Sequence, residues 1–191
     1  THQIIVQRKI VMKLTKTPLE DLIIIEPKVH IDSRGYFMES YNKNLFEQNH
    51  LNYHFVQDNE SQSEFGVIRG LHFQIPPFQQ TKLVRVSYGE ALDVVVDLRP
   101  NSKTFGKSFS ILLSMENKKQ LLIPKGFAHG YSVLSERCIF NYKCDEFYHA
   151  PSESGIHPMD TSLNIDCMIP IEKQIISDKD LNWPGIKYYN F

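Results

Sequence analysis

Apolar and polar residues alternate along this chain in short runs, and a period of two dominates. The clearest run is EALDVVVDLRP, where Leu92, Val94, Val96 and Leu98 alternate with Asp93, Val95, Asp97 and Arg99. Successive side chains on a strand point to opposite faces, so this spacing predicts a half-buried β-strand. Further strand-like runs are LIIIEPKVHI (22–31), GYFMESY (35–41), YHFVQDNES (53–61), VIRGLHFQ (67–74), KSFSILLS, KQLLIP, GYSVLS and CIFNYKC. Turn-forming clusters separate them: DSRG, the Pro76-Pro77 pair, PNSKTFG, SMENKK and PKGFAHG. Two short helices are predicted, in NKNLFEQNH (42–50) and in SDKDLNWPG (177–185), the second stopped by Pro184. Many short strands at this spacing predict a mainly β domain, an antiparallel sandwich or barrel.

A length of 191 residues suits one domain, here residues 12–191. Residues 1–11, THQIIVQRKIV, precede Met12, which reads as a natural start. They are read as an N-terminal extension or a cloning remnant and carry no functional weight. A formal net charge of −1 leaves no broad basic field, so nucleic acid is not expected as a partner. No apolar run approaches the ~18 residues of a membrane span. No secretory leader is visible either. Cys138, Cys144 and Cys167 are odd in number and form no CxxC. They predict neither a disulfide framework nor a thiolate zinc site, and point to a reducing cytoplasm.

The run VIRGLHFQ places an imidazole, His72, inside an apolar strand, three residues after Arg69. His129 in GFAHGYSV sits in a similar setting. Each histidine is a core residue satisfied by hydrogen bonding, a metal ligand of the cupin kind, or a general base. A metal calls for converging ligands, commonly His-x-His on one strand face, and His72 is followed by Phe73 and Gln74, so none is expected. A base fits imidazole, which titrates near neutrality, provided a carboxylate fixes its tautomer. Spacing does not choose that carboxylate. In CIFNYKC, Cys138, Phe140 and Tyr142 share a face. The Tyr142 hydroxyl therefore either makes a structural hydrogen bond or points into a cavity as an acid. In TKLVRV, Lys82, Val84 and Val86 share a face. An inward lysine is costly unless it meets an anion, and the plainer reading is a solvated strand end. Arg69 and His72 would fall on opposite faces of a regular strand. Gly70 between them permits a bulge that re-aims one of them.

Longer signatures then carry a resemblance. The runs IIIEPKVHIDSRGYFMESYN, FVQDNESQSEFGVIRGLHFQ, TKLVRVSYGEALDVVVDLRPNSKTFG and ENKKQLLIPKGFAHGYSVLSE occur in that order over most of residues 18–151. Together they closely resemble the dTDP-4-dehydrorhamnose 3,5-epimerase family. The resemblance implies a cupin-type double-stranded β-helix, or jelly-roll barrel, with short peripheral helices. It implies a homodimer with exchanged strands and no cofactor or metal. The implied activity is epimerisation of dTDP-4-dehydro-6-deoxy-D-glucose at C3 and C5, giving dTDP-4-dehydro-L-rhamnose for rhamnose-containing polysaccharide. By motif, the general base falls on His72 of GLHFQ, its carboxylate on Asp180 of SDKD, the lysine on Lys82 of KLVR and the acid on Tyr142 of NYK. Substrate contacts fall on Arg69, His129, Arg34, Phe37, Glu39, Gln57, Asn59 and Tyr148. The chain departs from the family near 155, where GIHPMD lacks the usual tryptophan, and at its short end, LNWPGIKYYNF. The alternatives are an epimerase acting only at C3 of a related 4-keto-6-deoxy sugar, a metal-dependent cupin, and a non-catalytic sugar-nucleotide-binding cupin.

Overall fold

The computed structural model describes residues 12–189, so the segment 1–11 lies outside the described residues. Among the described residues fourteen strands follow in chain order. They are β1 (Lys13–Lys16), β2 (Ile23–Glu26), β3 (Val29–Asp32), β4 (Gly35–Met38), β5 (Gln57–Glu64), β6 (Val67–Gln74) and β7 (Lys82–Tyr88). Then come β8 (Glu90–Asp97), β9 (Ser108–Ser114), β10 (Gln120–Ile123), β11 (Phe127–Val133), β12 (Arg137–Cys144), β13 (Glu153–Gly155) and β14 (Ile175–Ile176). The predicted helices are present as α1 (Lys43–Gln48) and α2 (Asp178–Leu181), capped by the side chains of Asn42 and Ser177.

One sheet runs β1-β2-β10-β7-β12-β5 and the other β13-β6-β11-β8-β9, antiparallel throughout, with β14 added in parallel beside β6. The sheets face each other as a jelly roll, the cupin-type architecture. Val84, Val86, Cys138 and Phe140 of the first meet Ala91, Val95, Leu113, Tyr131 and Val133 of the second in one buried cluster. Each large apolar side chain there contributes about 1.5–3 kcal/mol by leaving water. The outer face of the first sheet, with Ile25, Leu83 and Leu122, is covered by Phe46 of α1 and by Leu51.

Strand β8 corrects the half-buried reading. Its leucine and valine stripe, Leu92, Val94, Val96 and Leu98, faces away from the barrel and packs under Ile156 and Leu163 of the C-terminal segment. Asp93 and Asp97 face inward at 0% exposure, beside Val95. Both faces are buried because the chain's C-terminal third folds back as a cover, which a local period cannot report. Asp97 is kept inside by Arg99, Ser102 and Thr104. The run 22–31 also divides: Pro27 has no N–H for a ladder, and the chain leaves β2 for a separate hairpin of β3 and β4. That hairpin joins neither sheet, and its Ile31 and Phe37 are 82% and 67% exposed. Among the described residues no helix is long and apolar enough to cross a membrane.

Candidate active site

The local device that builds the site is a bulge in β6. Arg69 pairs with Tyr131 and His72 with His129, so β6 holds one residue more than β11 between the two pairs. Gly70 absorbs the extra residue at φ +116°, and a Cβ there would lie 2.6 Å from the Gly130 Cα. Only glycine fits such a conformation and approach. Before the bulge Val67 and Arg69 face inward, against the inter-sheet core and Ser63 of β5. After it, Leu71 and Phe73 face outward and His72 inward. His72 thereby turns into the barrel, while Arg69, on the same side, stays exposed against Ser63.

His72 opens onto a cavity of about 270 Å³ between the sheets. Lys82 of β7, Tyr142 and Cys144 of β12, and Gln57 and Asn59 of β5 line it from the facing sheet. Tyr148 and Glu153 close its rim. The ring of His72 is tied by Nε2 to Asp180 Oδ1 at 2.6 Å, and Asp180 Oδ2 accepts from the Gly70 N–H at 3.1 Å. Burial raises the Asp180 carboxyl, but the hydrogen bonds of His72 and Gly70 outweigh it and hold the group below the usual aspartate range. An ionised Asp180 takes the Nε2 proton as its hydrogen bond. The lone pair then sits on Nδ1, which has no partner among the described residues.

A second histidine–carboxylate pair lies next to the first. His129 Nε2 is 2.8 Å from Asp93 Oδ2, and both side chains are buried. Burial pushes His129 below the ordinary imidazole range despite the opposing pull of Asp93, so it stays neutral. The two imidazoles are register partners, yet each engages its own carboxylate. Among the described residues no three His, Cys, Asp or Glu side chains are grouped to hold a metal ion.

Burial also lowers the Lys82 ammonium, with Cys144, Asp93 and Glu153 pulling the other way. Its Nζ lies 5.9 Å from the centre of the Tyr142 ring. The Tyr142 phenol is pushed up to about 12, mainly by burial, so it carries its proton at neutral pH. The Cys144 thiol rises to about 11 for the same reason and is inert as a nucleophile.

The structure thus brings together His72, Asp180, Lys82, Tyr142, Gln57, Asn59 and Tyr148. His129 sits buried against His72, and Arg69 binds Ser63 at 3.1 Å and does not line the cavity. Three of the motif-derived contacts do not meet in one chain. Arg34 pairs with Asp32 within the β3–β4 hairpin. Phe37 and Glu39 border a separate groove with Ile25 and Phe46. Sequence reasoning missed Asp93 and Glu153. Val95 beside Asp93 was the one sign that the charged face of β8 is interior; nothing local marked Glu153. The Trp183 indole packs on Gly155, 2.6 Å from where a Cβ would stand.

Comparison with known proteins agrees with this geometry. A family model described as dTDP-4-dehydrorhamnose 3,5-epimerase matches residues 16–188. A dTDP-4-dehydrorhamnose 3,5-epimerase from Methanothermobacter thermautotrophicus is 51% identical over 176 residues, covering 92% of this chain and 95% of the relative. The crystal structure of the Elizabethkingia anophelis NUHP1 enzyme of the same name superposes with a TM-score of 0.90 at 53% identity, covering 94% of this chain and 99% of that one. A dTDP-6-deoxy-D-glucose-3,5-epimerase from Legionella pneumophila Philadelphia 1, solved with dTDP-4-keto-L-rhamnose, gives a TM-score of 0.90 at 44% identity, covering 94% and 95%.

Proposed function

We infer that this chain, which belongs to the dTDP-4-dehydrorhamnose 3,5-epimerase family, inverts its sugar nucleotide by proton transfer between His72 and Tyr142. It is an isomerase. Its reaction converts dTDP-4-dehydro-6-deoxy-D-glucose to dTDP-4-dehydro-L-rhamnose, a step of dTDP-L-rhamnose biosynthesis. What supports the residue assignment is an imidazole and a phenol on facing sheets of one cavity, with the Lys82 ammonium also lining it, 5.9 Å from the centre of the phenol ring.

The hydrogens on C3 and C5 are acidic because C4 is a ketone. His72 Nδ1 takes one of them, and the electron pair moves onto the C4 oxygen as an enolate. The imidazolium that results is stabilised by Asp180 at 2.6 Å. Lys82 donates to the enolate oxygen, and burial makes that donation stronger than it is in water. Tyr142 then returns a proton to carbon from the opposite side, which inverts the centre. Exchange with solvent takes the proton from His72 and returns one to Tyr142, and the same set then acts on the second carbon. No step calls for a cofactor.

Gln57, Asn59 and Tyr148 line the opening and suit the nucleotide end of the substrate. Arg34, Phe37 and Glu39 lie on or beside the protruding hairpin, away from this chain's own cavity. A two-stranded hairpin with exposed Ile31 and Phe37 is marginal alone and gains stability by seating on a second copy. A homodimer in which each hairpin lends these residues to its partner accounts for both facts. The three cysteines are free and buried, which fits a reducing cytoplasm. The product would feed rhamnose-containing polysaccharide.

Incubation with the 4-keto substrate in deuterated water, read by NMR at C3 and C5, tests the assignment. His72→Ala should lose nearly all exchange at both carbons. Tyr142→Phe should still wash deuterium in but fail to invert. Full inversion by Tyr142→Phe would remove the phenol from the mechanism. A wild-type product inverted at C3 alone would establish the narrower activity.

A further inference from the structure

The element that delivers Asp180 is the least self-supporting part of the site. Helix α2 has four residues, too few to hold a position through its own backbone bonds. Its side chains decide where it sits. Asp180 grips β6 through His72 and the Gly70 N–H. The preceding residue, Lys179, donates from Nζ to Glu153 Oε1 at 2.6 Å. Glu153 opens β13, a strand whose Gly155 is the register partner of His72. Its other oxygen accepts from the Tyr148 hydroxyl at 2.7 Å. Lys179 is half in solvent, 53% exposed, whereas the Glu153 side chain is only 18% exposed and lines the cavity. Consecutive residues of α2 therefore clasp two adjacent strands, one through His72 and one through Glu153.

We propose that Glu153 and Lys179 are positioning residues whose ion pair locks α2 across β13 and so keeps Asp180 in contact with His72. This rests on the reading of His72 as the base. The pair does not touch the reacting carbons; it acts through Asp180. The rival explanation of any effect is charge acting through space. The charged or titratable groups facing His72 are Asp180 from α2, Glu153 from β13, Lys82 from β7, His129 from β11, Tyr142 and Cys144 from β12, and Tyr148 from the rim.

The two explanations differ in sign. Through space, Glu153→Gln removes a negative charge and makes His72 less basic, while Lys179→Met removes a positive charge and makes it more basic. Through position, either change loosens Asp180, and both make His72 less basic. The acid limb of kcat/KM follows the base of the free enzyme. With purified full chain, both variants should move that limb to lower pH. Each should lower kcat about five-fold, the scale expected for one partly exposed ion pair. The double variant should fall no further than either single one, and Lys179→Arg should restore the wild-type profile. Limbs that move in opposite directions, losses that multiply in the double variant, or unchanged kcat in folded single variants would overturn the proposal. Thermal melts establish folding, and Lys179→Gln replaces Lys179→Met should the latter not fold. His72→Asn run in parallel separates the two readings. If it keeps turnover, the base assignment fails. If it loses turnover while Glu153→Gln and Lys179→Met leave the profile unmoved, only the clasp fails.

Discussion

Lys82 is destabilising in the resting protein and useful only when an oxyanion forms beside it. Its ammonium is held below the ordinary lysine range by burial. The unfolded chain thus binds that proton more readily than the folded one, and the folded state gains stability as pH rises above the lowered value. Lys82→Met should raise the melting temperature at neutral pH and cut turnover by roughly 10²-fold or more. A differential scanning and steady-state comparison checks both halves. Asp180 has the opposite sign. Its folded carboxyl lies below the ordinary aspartate value of 3.8, so its stabilising contribution is present above that value and lost as pH falls through the depressed one. Asp180→Asn should lower turnover by roughly 10²- to 10⁴-fold through the wrong imidazole tautomer. Its stability deficit relative to wild type should shrink only below the ordinary aspartate range, as acid titration followed by circular dichroism would display. At this scale face-sharing within CIFNYKC and TKLVRV grouped Tyr142 with Phe140 and Lys82 with Val84, but did not choose between cavity and solvent for either polar tip. Asp180 comes from 108 residues away from His72, a partnership that no local pattern contains.

At the scale of elements, two small features decide whether strands present the right groups. The β6 bulge is one. Gly70→Ala meets both a positive φ and a Cβ 2.6 Å from the Gly130 Cα, so the strands must separate or the bulge must close. Denaturant unfolding should show a loss of at least ~2 kcal/mol, with activity falling further than stability because His72 turns from the cavity. The second is the knot at the end of β8. Asp97, at 0% exposure, accepts from Arg99, Ser102 and Thr104 and anchors the turn into β9. Burial opposes ionisation there, but these donors outweigh it and hold the carboxyl at about 2. Its contribution, ~2 kcal/mol by linkage, is full above pH 3.8 and disappears as pH falls through about 2. Asp97→Asn should lose about that much at neutral pH, read as a shift in the urea midpoint. The presence of β8 was legible from its period, but its inside and outside were exchanged, because a strand covered on both faces gives no contrast with water.

For the whole molecule, the hairpin of β3 and β4 stands out because it joins neither sheet of its own chain. Ile31→Asp places a charge on its exposed apolar face without touching the cavity. On the proposed homodimer, sedimentation velocity should show dimer for the wild type and monomer for this variant, and KM for the sugar nucleotide should rise several-fold. A variant that stays dimeric with wild-type KM would mean that the hairpin does not complete the neighbouring site.

The strand pattern, a mainly β sandwich or barrel and the candidate residue types of the acid–base set follow from the sequence itself, because period, turn chemistry and side-chain chemistry are local properties. Motif order added the family and, through it, the jelly roll. What spacing left open is set by tertiary structure: which carboxylate steadies His72, for which only the motif resemblance had named Asp180, that Asp93 and Asp97 face inward, that Glu153 joins the rim through Lys179, and that Arg34, Phe37 and Glu39 stand apart from their own cavity. Each of these depends on segments distant in the chain folding over one another, and burial and long-range pairing have no signature in the spacing of neighbouring residues.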